Sequence, residues 1–317
     1  MLEQALMFGV PAGLAALTAA RARLREARRE ARFPPIGQRI TVEGRQIHLW
    51  QAGDGPDLVL IHGSSANLRE FMDLAGELAK NFRVTLVDRP GLGWSDGGRD
   101  DLGEQARLMA LAVQAAGVNR PLVLGHSYGG AVALAWGLHA PVAGLALVSG
   151  VAMPWEGGLD PWYRVNRPAL VRALILPLVV AFVPRSRVES AIASVFAPQP
   201  CPPGYATASG IPLVLRRRAM DANIRQVNSL LGHVRAMVPL YSRLTMPVEI
   251  LHGDSDSVVP HHIHALPLAQ SLPDAALTLL PGVGHMPHQT HPADVLAAVK
   301  RLAARAGLPL DCREATV

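Results

Sequence analysis

Cysteine is nearly missing from this chain: its 317 residues hold two, Cys201 and Cys312. Neither belongs to a C-x-x-C pair or has a histidine at metal-ligand spacing, which excludes a cysteine-based metal site. Two unpaired thiols in a reducing compartment suit them best, and a single bridge between them stays open. Charge is sparse as well, at 17% of residues. Of the net +5, residues 21–32 carry +4 through six Arg and two Glu, and the other 305 residues sum to +1. The body therefore lacks the spread positive surface that nucleic acid requires. Internal repeats and low-complexity blocks are missing too.

No long apolar run is present. The uncharged stretch 4–20 has seventeen residues, about 25 Å as a helix against a hydrocarbon core of about 30 Å. Pro11 interrupts it, and Glu3 is the only charged side chain ahead of it, so it lacks the basic start of a secretion signal. With the Arg-rich segment directly behind it, residues 4–32 are expected to associate with a membrane. They would insert with the arginines cytoplasmic, or lie at the interface with arginines on anionic headgroups. An amphipathic helix packed on the body is the plainer alternative. The expected location is the cytoplasmic side of the inner membrane or the cytoplasm, with residues 1–33 forming one N-terminal helix.

What the chain has is apolar bulk, half of all residues, arranged in short runs. Pro34-Pro35 ends the first helix, and residues 40–53 alternate around a glycine as an antiparallel pair would. Continuous runs follow at Leu58–Ile61, Val84–Val87, Leu122–Leu124, Leu145–Val148, Val248–Leu251 and Leu277–Leu280. Between them, helical periodicity marks 69–80, 101–117, 128–139, 261–272 and 292–305. Strand and helix in alternation imply an α/β fold around a mostly parallel sheet. The rhythm breaks between 151 and 245, where helical stretches read as an inserted helical cap. Residues 34–150 and 246–317 would then form the core. Within the cap, the uncharged tract Ala173–Pro184 suits a lid helix turned toward an apolar pocket, or an ordinary packing helix.

The chemistry concentrates at Gly125-His126-Ser127-Tyr128-Gly129-Gly130, after the run PLVL and before a helical stretch. G-x-S-x-G between strand and helix is a nucleophile elbow. Ser127 would attack, with the helix start behind it favouring a developing oxyanion. Serine needs a base, and His285, in a Gly-Val-Gly-His turn past the last strand, is the best placed of twelve histidines. His288 and His291 approach the final helix and suit a surface role. The base needs a carboxylate, and LHGDSDSVVP offers Asp254 and Asp256. Asp256 is the favoured partner, Asp254 a turn former. After the strand LVLI, the turn His62-Gly63-Ser64-Ser65 points the Ser64 N–H toward a substrate oxygen. The Tyr128 N–H would be the second oxyanion donor. His62 braces that loop. His261, His262 and His264 begin a helix on its polar face, and no carboxylate completes a metal set.

These residues resemble the α/β-hydrolase superfamily, lipase/esterase type, over roughly 38–305. The resemblance adds DRPGLGWS (88–95) and implies an eight-stranded, mostly parallel sheet with the site at its C-terminal edge beneath the cap. It implies that Asp88 shapes a turn, and that Ser127, Asp256 and His285 cleave an ester-like bond of an apolar small molecule without cofactor or metal. Serine at the elbow argues against haloalkane dehalogenases and epoxide hydrolases, which place Asp there, and HGSSAN argues weakly against the carbon–carbon-bond hydrolases. Cofactor-free perhydrolases share the triad. Non-catalytic members also exist as binding or accessory proteins, one of them associated with magnesium chelatase.

Overall fold

The computed structural model describes residues 2–98 and 100–310, with side chains from residue 13 onward. Cys312 lies outside the described residues. Eight strands form one sheet: β1 (Gln38–Val42), β2 (Arg45–Ala52), β3 (Asp57–Ile61), β4 (Arg83–Val87), β5 (Leu122–His126), β6 (Gly144–Val148), β7 (Val248–Gly253) and β8 (Ala275–Leu280). Their order is β1-β2-β4-β3-β5-β6-β7-β8. The β1–β2 and β2–β4 pairs are antiparallel and every other pair is parallel.

The helices are α1 (Leu2–Arg32), α2 (Met72–Leu78), α3 (Leu102–Ala115), α4 (Tyr128–His139), α5 (Pro161–Val165), α6 (Ala169–Phe182), α7 (Arg185–Phe196), α8 (Tyr205–Ala208), α9 (Arg217–Met237), α10 (His261–Ser271), α11 (Pro287–Thr290) and α12 (Pro292–Arg305). Short apolar strands buried on both faces explain the two cores, because successive side chains point to opposite sides of a sheet. Val59, Ile61 and Val123 pack with α3 and α4 on one face. Leu58, Leu60, Leu122 and Leu124 pack with α2 and α12 on the other. Helix α4 runs through the first core, and every side chain from Tyr128 to Trp136 is buried.

All five helices α5 to α9 lie between β6 and β7. Helix α6 turns Leu176 and Val180 inward against Ala22, Met220 and Ile224. It leaves Leu170, Leu174, Leu178 and Phe182 exposed, so one side of the apolar tract faces outward. Helix α1 is held on the body by polar contacts. Arg29, buried, donates to the Leu215 carbonyl at 2.5 Å, Glu26 pairs with Arg217 at 2.7 Å and Glu30 with Arg216 at 3.0 Å.

At the β5–α4 junction the two backbones nearly touch. A Cβ at Gly125 would stand 2.2 Å from the Gly129 carbonyl oxygen, and one at Gly129 would stand 2.2 Å from the Ile61 oxygen. Neither obstacle is a flexible side chain. Gly129→Ala is expected to lower the unfolding free energy by about 3 kcal/mol, the upper range for overpacking a rigid site. Urea denaturation checks this, and an unchanged midpoint would show that the junction can open.

Candidate active site

Ser127 is the turn between β5 and α4, at φ 54° and ψ −120°. This conformation lifts the side chain off the sheet edge toward the loop that follows β8. Ser127 Oγ lies 3.0 Å from His285 Nε2, and His285 Nδ1 lies 2.8 Å from Asp256 Oδ2. The Nδ1–H donates to the carboxylate, which leaves the Nε2 lone pair to accept the serine hydroxyl proton. All three side chains are buried.

The Asp256 carboxylate is fixed from its other side. Its Oδ1 accepts the N–H groups of Val258 at 2.9 Å and Val259 at 2.8 Å, and His252 Nε2 stands 3.3 Å from Oδ2. Burial would raise its pKa, but the bonds from His252 and His285 outweigh that and hold it below the ordinary carboxylate range. Asp254 instead accepts from the Gly282 N–H at 2.7 Å and braces the turn leading to His285. Burial lowers the His285 pKa below its ordinary 6.5; the Asp256 bond opposes this only in part, and His126 and His252 add to the lowering.

The loop after β3 comes close to the nucleophile: a Cβ at Gly63 would stand 3.2 Å from the Ser127 Cβ. Ser64 follows directly. The Tyr128 side chain is pinned away from the site, with Arg89 4.1 Å over its ring and Gln105 donating to its hydroxyl at 3.1 Å. Its backbone N–H, like that of Ser64, has no aligned protein acceptor among the described residues. His62 braces the loop, accepting from the Arg89 N–H at 3.0 Å and donating to the Gly63 carbonyl at 2.9 Å. Asp88 ties the following turns together, accepting from the N–H groups of Leu68 and Trp94 at 2.7 Å each and pairing with His48 at 2.6 Å.

Two histidines differ from their sequence-based placement. His288 is buried, because α11 folds back under the elbow. His264 is buried rather than on a polar face, and its Nδ1 accepts from the N–H groups of Ala152 and Met153 at 3.3 and 3.2 Å.

Sequence reasoning also missed Glu70, His126 and His288 as a group. Glu70 Oε1 stands 3.0 Å from His126 Nδ1 and 3.2 Å from His288 Nε2, both oblique to hydrogen-bond alignment. Its Oε2 accepts the Gly63 N–H at 3.2 Å, and His126 Nε2 donates to the His285 carbonyl at 3.0 Å. One buried carboxylate therefore joins the nucleophile turn, the base loop and the Gly63-Ser64 loop. Burial would raise the Glu70 pKa, but His126 and His288 hold it well below its ordinary value. Burial, aided by His126, pushes His288 down to about 4. The three groups converge within 4.8 Å, as metal ligands would, and their contacts with one another already account for the arrangement.

The insertion reaches both loops. Asn223 on α9 accepts the Ser65 N–H at 2.8 Å, and Gln199 accepts the Gly284 N–H at 2.9 Å.

Residues 58–299 match the Alpha/beta hydrolase family. The chain belongs to it. Among curated relatives of this alpha/beta hydrolase, the magnesium-chelatase 30 kDa subunit of Rhodobacter capsulatus is 30% identical over 249 residues, 74% of this chain and 82% of the relative. The pimeloyl-[acyl-carrier protein] methyl ester esterase of Chromobacterium violaceum is 30% identical over 253 residues, 78% and 94% of the two chains. Among solved structures, an alpha/beta hydrolase fold protein from Burkholderia ambifaria superposes with a TM-score of 0.67 at 27% identity, covering 83% of this chain and 96% of that one.

Because Glu70 joins three loops of this hydrolase, its removal should be felt in stability. Glu70→Ala is expected to cost about 3 kcal/mol of unfolding free energy, and Glu70→Gln less, because the amide oxygen still accepts the Gly63 N–H. Denaturant titration of both variants checks this. Midpoints indistinguishable from wild type would mean the carboxylate holds nothing together.

Proposed function

We propose that this alpha/beta hydrolase cleaves a carboxylic ester-like bond of an apolar substrate through an acyl-enzyme on Ser127. His285 takes the hydroxyl proton as Oγ attacks the carbonyl carbon, and Asp256 stabilises the imidazolium that forms. The Ser64 and Tyr128 N–H groups receive the negative charge on the carbonyl oxygen. His285 then passes its proton to the departing alkoxide. A water molecule repeats the sequence, with its proton going to His285 and then back to Ser127 as the acid leaves. No cofactor takes part.

The observation that carries this reading is the buried Asp256–His285–Ser127 relay, at 2.8 and 3.0 Å, on a turn that presents the hydroxyl. An esterase among the relatives supports the bond class. Phe196 and Tyr205 of the insertion pack on Met286, the neighbour of His285, and this apolar contact supports an apolar substrate. A second reading, a non-catalytic accessory protein, is favoured by the likeness to the magnesium-chelatase subunit. The complete relay weighs against it, since a binding role needs no such alignment.

Hydrolysis of p-nitrophenyl esters of graded chain length separates the two. Ser127→Ala is expected to lower kcat by at least about 10³-fold, as loss of a triad nucleophile does elsewhere. His285 acts as base only when neutral, and its pKa lies below 6.5. The acid limb of the wild-type rate should therefore be centred below 6.5. Equal turnover by Ser127→Ala, or an acid limb centred above about 7, would contradict the mechanism.

A further inference from the structure

Two neighbouring helices leave their leucines in solvent. On α6, Leu170, Leu174, Leu178 and Phe182 are 73, 63, 46 and 50% exposed. Four residues apart, they form one stripe spanning about 120° of the helix, opposite the buried Leu176 and Val180. On α1, Leu14, Leu17 and Leu24 are 63, 64 and 53% exposed. Leu17 and Leu24 lie on the side of α1 turned away from Ala22, the residue that meets α6. The stripes meet at Arg21, whose guanidinium lies 5.3 Å from the Phe182 ring and donates to the Ala181 carbonyl at 2.9 Å. A soluble surface seldom concentrates this many large apolar side chains on adjoining elements.

The charge around the face is mainly positive, although Arg172 and Arg185 pair with Asp221 and Glu189. Segments 21–32 and 161–187 hold eleven Arg and two Glu, while the whole chain has thirty basic and twenty-five acidic residues, so everything else sums to −4. Both Glu, at 26 and 30, pair with Arg217 and Arg216 behind the face. Arg21, Arg164, Arg167 and Arg187 are exposed beside it. Arg21 and Arg25 meet carbonyl oxygens of Ala181 and Val183 and no carboxylate among the described residues.

We propose that the exposed stripes of α1 and α6 form one face that seats on an anionic lipid bilayer. Apolar side chains would enter the headgroup boundary and the arginines would meet lipid phosphates. Spanning is not required: no single helix among the described residues is long and apolar enough to cross a membrane, and α6 and α7 bend by 103° at their junction. A second copy fits less well, because a two-fold contact would set the arginine margins against each other. The face goes beyond the N-terminal segment, since half of it belongs to the insertion between β6 and β7. It stands independently of ester cleavage.

Vesicle flotation of the full-length protein tests the proposal. The vesicles are phosphatidylcholine alone, or with about one third phosphatidylglycerol. Wild type and Ser127→Ala should both float with the anionic vesicles, less so in high salt and weakly on phosphatidylcholine. Leu170→Ser/Leu174→Ser/Phe182→Ser alters only exposed positions, so its helical circular dichroism should match wild type while its partition falls at least about tenfold. Arg164→Gln/Arg187→Gln should lose the preference for phosphatidylglycerol. Three outcomes would overturn the proposal: no flotation of wild type, undiminished flotation of the triple variant, or equal binding to both compositions. A concentration-dependent dimer by light scattering, lost in the triple variant and without vesicle binding, would seat a second copy on the face instead.

Discussion

Ser127 holds a backbone conformation that L-residues rarely adopt, at a cost of about 1–3 kcal/mol, and its bonds show what keeps it there. Its N–H donates to the Val148 carbonyl at 3.1 Å, and its own carbonyl accepts from Gly130 at 2.9 Å and Val151 at 3.0 Å. The strand behind and the helix ahead are locked into the two cores. Relaxing the turn would mean breaking these bonds or separating β5 from α4. The strain is therefore retained, and its product is a hydroxyl aimed away from the sheet at one histidine.

That histidine works in a nearly dry setting. His285, His126, His252 and His288 are all buried within one neighbourhood, together with Asp256 and Glu70. Burial disfavours added positive charge and lowers the His285 pKa, while a single carboxylate orients the ring. Glu70 has a different place in the network. It faces the back of the elbow and the loop before Ser64, so the Ser127 turn, the His285 loop and the Ser64 loop share one buried anchor. Asn223 and Gln199 hold two of the same loops from the insertion side. The insertion is thus part of how the site keeps its shape.

Much of this was legible in the sequence because each element is written locally. Buried parallel strands read as short apolar runs, and the runs ended within two residues of the observed strands. The elbow, the acid turn and the base turn are contiguous motifs whose residue types follow from turn geometry. The missing parts depend on contacts between distant segments. Glu70 left one usable signal: it lies four residues before Leu74 and eight before Leu78, a lone carboxylate on the apolar side of a helical pattern. His288 sits among polar residues, and nothing local shows that α11 folds under the elbow. The apolar tract of α6 could be recognised as helical, but which half would be covered depended on α1 and α9 packing against it.

The central claim is that the relay makes Ser127 an activated nucleophile. Intact-mass labelling with a fluorophosphonate probe addresses it directly, using wild type, Ser127→Ala and Asp256→Asn. The account predicts rapid addition of one probe to wild type, none to Ser127→Ala, and slow addition to Asp256→Asn, where the ring loses the carboxylate that orients it. Well-folded wild type that stays unlabelled, or a label on any other residue, would contradict it.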